Sequence, residues 1–233
     1  AFLAQTQIDR AAEAFWEAIG LGSSDPLPHL GLGLAKIRKG DLDEGRHYIE
    51  IALGIDSENA LVRSYLGKAF YEEKRSPLDE IKFSQAKLKD PNDPTPWFYD
   101  AIRKQSVNRP VEAMGDLKKS IELNNNRAVF RSSLLLDEDL AARSASLGRI
   151  YKDMGFEQLG LVEGWKSVNT EPSNHSGHRL LADVYSTLPR QEIARANELF
   201  QSQLLQPSNM TPIQPQLAQA NLFVLDSAGP SDI

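Results

Sequence analysis

A period of 34 residues runs through this chain and limits its fold more than any other feature. Small residues recur at Gly33, Gly67 and Ala101, then after an offset of 47 at Gly148, and 34 later at Ala182. A second small column reads Ala18, Ala52, Ala86, Ser120 and, after the same 47, Ser167. A large apolar column reads Phe15, Ile49, Phe83 and Leu117, and a break column reads Ser57, Pro91, Asn125 and Pro172. All four share one register and one interruption, at about 128–140. Such a period marks a repeat architecture: one unit cannot bury its apolar face alone, whereas stacked units can.

Each unit has the same internal grammar. A first segment carries apolar residues at helical spacing, as in Leu61, Tyr65, Leu66, Ala69 and Phe70. A short polar break follows, such as Lys39-Gly40-Asp41 or Met154-Gly155-Phe156. A second helix is expected over a stretch such as Leu42 to Ile55, then a loop such as Asp56-Ser57-Glu58-Asn59. Glycine at the break suits a helix end with positive φ, and loop Asp or Asn can cap the next helix. Pro91 and Pro172 stop the second helices. The small columns belong where two antiparallel helices cross closely. The Trp residues at 16, 97 and 165 fall at repeat positions and are expected in the core between helices.

These residues resemble the tetratricopeptide repeat. Leu32-Gly33, Leu66-Gly67 and Leu147-Gly148 match its Leu-Gly pair. Trp97 matches its Trp, and Phe70, Tyr151 and Tyr185 match its Tyr. Ala11, Ala113 and Ala194 match the first Ala, Ala18, Ala52 and Ala86 the second, and Pro91 and Pro172 the Pro. The pattern departs at Asp79, where a small residue is expected, at Gly164, where an aromatic is, and at Lys36 and Lys104, where Tyr is. The resemblance implies an all-α fold, a right-handed superhelix or solenoid of stacked antiparallel helix pairs.

The expected organisation is repeats over 1–127, the first truncated, an interruption at 128–140, two further repeats over 141–207, and an extended Pro- and Gln-rich segment over 208–233. Ala1 falls inside a first helix, so further repeats are expected upstream. Within 208–233 the run Leu222-Phe223-Val224-Leu225 could dock on the last hairpin or pair as a strand. The interruption is read either as a functional loop or as an extra half-helix that redirects the stack. A narrower resemblance rests on Leu134 to Leu140, Gly155 to Leu159, Gly164 to Ser167 and Gly229 to Asp232. They are similar to segments of long bacterial repeat proteins, whose secreted array precedes an outer-membrane-barrel-like region. That resemblance implies a periplasmic or outer-membrane-associated chain, the alternative being a cytoplasmic one.

In the repeat family, first helices line the concave surface. By register, the inward positions are Leu30 and Leu34, then Lys68 and Tyr71, then Phe98 and Ile102. Beyond the interruption they are Arg149 and Lys152, then Arg179 and Asp183. The expected groove is apolar and aromatic in its first half and basic in its second. It suits an extended or helical peptide with an apolar and an acidic portion. The alternative is that Leu30, Leu34 and Ile102 pack between helices while the basic residues form a solvated face.

Composition removes several chemistries. The chain has no cysteine, which excludes disulfides, thiolate metal sites and thiol nucleophiles. Its formal net charge of −6 provides no basic footprint for nucleic acid. No apolar run approaches the ~18 residues of a membrane span, so no membrane insertion is expected. His175 and His178 stand three apart and could share a metal, but a solvated helix start is the favoured reading. Gly31-Leu32-Gly33 lies within a repeat helix and reads as packing, not as a dinucleotide loop. No catalytic residue, cofactor or metal is expected. The expected function is a non-catalytic scaffold for a protein or peptide partner. Its alternatives are a structural array that self-associates or packs on an attached barrel, and the repeat domain of a larger enzyme.

Overall fold

The computed structural model describes residues 2–3, 7–22, 24–123 and 136–206. The segment 208–233, and with it the Leu222–Leu225 run, lies outside the described residues, as does the interruption up to residue 135. The described residues form eleven helices: α1 (Ile8–Gly20), α2 (Pro26–Arg38), α3 (Leu42–Ile55), α4 (Ala60–Glu72), α5 (Leu78–Lys89), α6 (Pro94–Ser106), α7 (Pro110–Glu122), α8 (Leu136–Asp153), α9 (Glu157–Thr170), α10 (His175–Tyr185) and α11 (Glu192–Leu205). The all-α architecture of helix pairs expected from the repeat is the one observed. Helix α8 begins inside the interrupting stretch, so residues 136–140 extend a first helix at its N-terminal end.

Two compact units divide the chain, with the boundary inside α6 between Tyr99 and Asp100. In the first, α2 pairs with α3 and α4 with α5, while α1 packs on α2 and α3 on α4. In the second, α8 pairs with α9 and α10 with α11, α7 packs on α8, and α10 also meets α8 and α9. Every hairpin is a pair of neighbours in sequence, as short connections require.

The loops repeat as faithfully as the helices. The residue before each of four first helices is Asp25, Asn59, Asp93 or Asn174, all at one register. Their side chains accept hydrogen bonds from Leu27 N at 2.9 Å, Val62 N at 3.1 Å, Thr95 N at 2.9 Å and Gly177 N at 2.9 Å. Each satisfies an amide that a helix start leaves without a partner. Three residues earlier in register, Asp56, Asp90 and Glu171 each accept from the amide two residues on, at 3.0–3.1 Å. At the turn within each pair a left-handed residue recurs: Gly40 at φ 99°, Lys74 at 55°, Asn108 at 59° and Gly155 at 81°.

Close backbone approach explains the glycine columns. A Cβ on Gly33 would lie 2.7 Å from the carbonyl oxygen of Gly45 and 2.7 Å from Ile49 of α3. One on Gly67 would lie 2.9 Å from the Phe83 ring of α5, and one on Gly31 2.3 Å from the Phe15 ring of α1. The large column therefore fills the space that the small column leaves, and Gly31-Leu32-Gly33 is a packing element.

The four departures from the pattern are each accommodated locally. Gly164 removes the large residue of its repeat, and a Cβ there would meet Leu181 of α10 at 2.7 Å. Leu180 stands 2.4 Å from the Cβ position of Gly148. Two leucines of the following helix thus fill the volume taken by Phe83 or Ile49 elsewhere. Lys36 and Lys104, in the Tyr position, reach acids on the second helix of their own pair. Lys36 meets Glu44 at 2.9 Å and Lys104 meets Asp116 at 2.5 Å. Asp79 is buried, and its carboxylate accepts from the amide of Glu80 at 2.8 Å.

The tryptophans do not lie where the sequence places them. Trp16 and Trp165 keep 48% and 42% of their surface exposed, and Trp97 is half-buried beside Lys87, whose Nζ lies 4.4 Å from the ring centroid. Trp16 and Trp165 fall on second helices, one turn or less from the buried small columns at Ala18 and Ser167. Their rings turn away from that contact, and Trp16 packs edge-on against Tyr48 with centroids 5.5 Å apart.

Candidate interaction faces on the first helices

In the first unit the inward register positions carry Leu30 and Leu34 on α2, Lys68 and Tyr71 on α4, and Phe98 on α6. Leu30, Leu34 and Phe98 are buried to within 1% of full closure, and Lys68 is as closed as they are. Tyr71 is half-buried. The side chains of Leu30, Leu34 and Phe98 therefore serve packing in this structure, which was the alternative reading of the two leucines.

Lys68 is the chemical centre of this face. Its Nζ lies 5.2 Å from the Tyr71 centroid and 5.8 Å from that of Tyr99, and it pairs with Glu72 one turn on. Aromatic faces attract a cation through their quadrupole, more strongly where water is excluded. Tyr99 is itself held by Tyr65, Phe98 and Phe83, with centroids 6.0, 5.4 and 6.5 Å away. Tyr65 and Tyr99 occupy the register of Gly31, so a column counted as small in the first repeat becomes an aromatic pair in the next two. Tyr65 is read from sequence only as an apolar position of its helix, and Tyr99, 34 residues on, is not among the positions read there. Nor is Arg38, buried one turn after Leu34.

In the second unit Ile102 is buried, while Arg149, Lys152, Arg179 and Asp183 are half-buried. Three of these four converge. Arg149 Nη2 meets Asp183 at 3.3 Å across from α8 to α10, and Arg179 Nε donates to the same carboxylate at 3.1 Å. One acid between two arginines leaves a net positive charge, to which Lys152 adds. Arg149 and Asp183 stand 34 residues apart, so register alone brings them to neighbouring helices.

Another charged group in this unit was not anticipated. Asp100 stands in the register of Leu32 and Leu66 yet is buried. It accepts from Arg103 Nε at 2.7 Å and faces Lys104 at 3.4 Å. Lys104 also meets Asp116. Burial pushes the Lys104 ammonium down, but the bonds to Asp116 and the field of Asp100 outweigh it and raise its pKa. The two acids and two bases balance, as buried charges must.

The histidine pair is divided between two surroundings. His178 directs Nδ1 to Glu198 at 2.6 Å and Nε2 to the Pro172 carbonyl at 2.9 Å, so both ring nitrogens are engaged. His175 is buried, which lowers its pKa to about 4 and keeps the ring neutral near pH 7. Among the described residues no group of three or more His, Asp or Glu is placed to hold a metal ion. No helix of the described residues is long and apolar enough to cross a membrane.

No family model matches the sequence, and no curated protein matches it in sequence. Solved structures do resemble its fold. Cut9, in the APC/C hetero-tetramer Cut9-Hcn1, aligns over 94% of this chain with a TM-score of 0.77 and 14% identity. This chain spans 40% of the length of that protein. PilF of Pseudomonas aeruginosa aligns over 92% of this chain and 81% of its own, with a TM-score of 0.64 and 16% identity. YrrB, described as a TPR protein with an unusual peptide-binding site, aligns over 85% of this chain and 95% of its own, at 0.51 and 18%. At such identities the likeness speaks for the fold, and the fold of this chain is a TPR-like array of helical repeats.

Proposed function

We propose that this chain is a non-catalytic scaffold that holds another protein through its first helices. In this reading the second unit receives an acidic segment, and in the first unit, where Leu30, Leu34 and Phe98 are taken up by packing, the half-buried Tyr71 is left to meet an apolar side chain. The observation that carries this reading is the cluster of Arg149, Asp183 and Arg179, with Lys152 beside it. Arg149 and Asp183 stand in the register of Leu34 and Ile102, and Arg179 in that of Leu30 and Phe98, where the other repeats bury apolar side chains; here the same positions are charged and half-buried. They hold surplus positive charge, half open to solvent, on a chain that is acidic overall. Arginine pairs with carboxylates in a planar, two-pronged geometry, which suits recognition of acidic side chains. The peptide-binding site described for YrrB is a precedent within the same fold. The reading includes a place in the bacterial envelope, in line with the narrower sequence resemblance.

A peptide array of apolar-acidic segments, probed with the wild-type chain, an Arg149→Gln/Arg179→Gln chain and a Tyr71→Ala chain, tests this. Binding of acidic segments should fall with the double variant and weaken as salt rises. Retention of every bound segment by both variants, with unchanged melting, removes the two faces from the function. A second reading, an array that associates with copies of itself, is favoured by Ile193, Phe200 and Leu204. These expose 81%, 58% and 63% of their surface along α11. Sedimentation of an Ile193→Asp/Phe200→Asp chain distinguishes it, because only self-association would be lost.

A further inference from the structure

Arg149 on α8 and Arg179 on α10 share a single acid. Arg149 Nη2 donates to Asp183 Oδ2 at 3.3 Å, and Arg179 Nε donates to Oδ1 at 3.1 Å. Each oxygen of the carboxylate serves a different guanidinium, and neither arginine is held by two prongs. Most of their N–H donors are left unspent. Arg46 and Arg109 are held otherwise. Arg46 meets Glu50 and Glu73 at 2.7 Å and Asp43 at 3.4 Å, and Arg109 engages both oxygens of Glu112. There the acids match or outnumber the cation. Around Asp183 the cations outnumber the acid.

The side chains of Arg149, Asp183 and Arg179 keep 23%, 24% and 27% of their surface in solvent. No nitrogen of either guanidinium is both buried and unsatisfied, so the unspent donors reach water. Two guanidiniums side by side repel one another. The carboxylate between them offsets that repulsion, because it attracts both at once.

We propose that this site selects a partner segment bearing two closely spaced carboxylates, and that Asp183 is the residue that sets the selection. The inference rests on the acidic-segment reading above and specifies the kind of acidic segment. By drawing both guanidiniums to one carboxylate, Asp183 keeps their open prongs side by side. A pair of neighbouring Asp or Glu side chains then meets one guanidinium each, whereas an isolated acid leaves one of the two unmet. Asp183 is a positioning residue: the arginines are ordered before the partner arrives and need not be ordered on binding. Charge alone predicts the reverse. An acid inside a cationic site repels an acidic ligand, so its removal would strengthen binding. Positioning and charge give opposite signs for the same substitution.

Two synthetic glycine–serine peptides test this against the full chain. One carries a single glutamate, the other two glutamates two residues apart, which an extended segment points to one side. Binding is followed by NMR at the Nε–H signals of Arg149 and Arg179. The wild type should prefer the two-glutamate peptide by about ten-fold, through the effective concentration of the second acid. Asp183→Asn should cut that preference to about two-fold, as for two independent acids. Asp183→Glu, which keeps the charge, should restore most of it. Asp153→Asn removes the same charge from an exposed acid that pairs with Gln105 at 2.8 Å. That variant should tighten both peptides and leave the preference intact. If Asp183→Asn weakens both peptides alike and lowers the melting temperature, the role is structural and the inference fails. If it tightens both with the preference retained, positioning is overturned while the acidic-segment reading stands. Failure of the wild type to bind either peptide overturns both.

Discussion

The backbones of Gly33 and Gly45 meet across the α2–α3 hairpin: a Cβ on Gly33 would lie 2.7 Å from the Gly45 carbonyl oxygen, and one on Gly45 2.7 Å from that of Gly33. No side chain can yield at such a contact, because the obstacle is main chain. Gly33→Leu should therefore destabilise the chain by about 1–3 kcal/mol through overpacking. Gly115, in the middle of α7, has nothing within 4 Å of its Cβ position. There Gly115→Ala should stabilise by about 0.5–1 kcal/mol through helix propensity. Urea midpoints of the two variants should move in opposite directions, and a neutral Gly33→Leu would refute the repeat register.

Lys74 occupies the turn position that Gly40 and Gly155 fill in other hairpins, at φ 55°. A side chain in the left-handed region meets a steric penalty that glycine avoids. Lys74→Gly should raise stability by about 0.5–1 kcal/mol, whereas Gly40→Lys should lower it. Thermal melts of the pair decide the matter. A loss on Lys74→Gly would mean that the lysine side chain contributes more than its backbone strain costs.

Lys104 joins Asp116 and Asp100 with little solvent access. Lys104→Met should cost about 2 kcal/mol, because it leaves carboxylates with fewer charged partners than their burial requires. The linkage has a definite sign. The folded-state pKa of Lys104 lies above its ordinary value, so its contribution is complete below about pH 10 and is lost only as the pH rises past the raised value. Stability measured between pH 7 and 9 should show no decline from this group. The Asp116→Asn variant should be close in stability to Lys104→Met, and the double variant should cost less than the two added together.

His175 imposes the opposite dependence. Its folded-state pKa is lowered to about 4 by burial, from an ordinary value of 6.5. The unfolded chain therefore binds a proton first as the pH falls. Stability from this site is full above about pH 6.5 and drains between there and pH 4, by about 3 kcal/mol in total. Urea midpoints for the wild type should fall between pH 7 and 4.5 more steeply than for a His175→Phe chain. Parallel slopes would show that the imidazole is hydrated in the folded state.

The repeat was legible because packing between helices recurs. The Gly33, Gly67 and Gly148 column, the Ile49, Phe83 and Leu117 column and the caps Asp25, Asn59, Asp93 and Asn174 each answer a steric or hydrogen-bonding demand that returns in most hairpins. The inward faces were legible only in part, because nothing recurs there. The register placed Arg149 and Asp183 on neighbouring helices, but their shared pairing with Arg179 depends on three side-chain conformations. The aromatic set around Lys68 eluded the reading because Tyr65 and Tyr99 stand in a column whose first member is Gly31.

By itself, the sequence determined the all-helical class, the 34-residue register, the caps and the turn positions, since these follow from backbone sterics and local hydrogen bonds. Only the tertiary structure decided which side of each helix is closed. It showed Leu30, Leu34 and Lys68 buried together and Trp16 and Trp165 exposed. It also showed Leu180 and Leu181 filling the volume that Gly164 leaves empty. The physical reason is that burial belongs to neighbours: a residue's own identity sets what it gains by leaving water, and the elements packed around it decide whether it leaves.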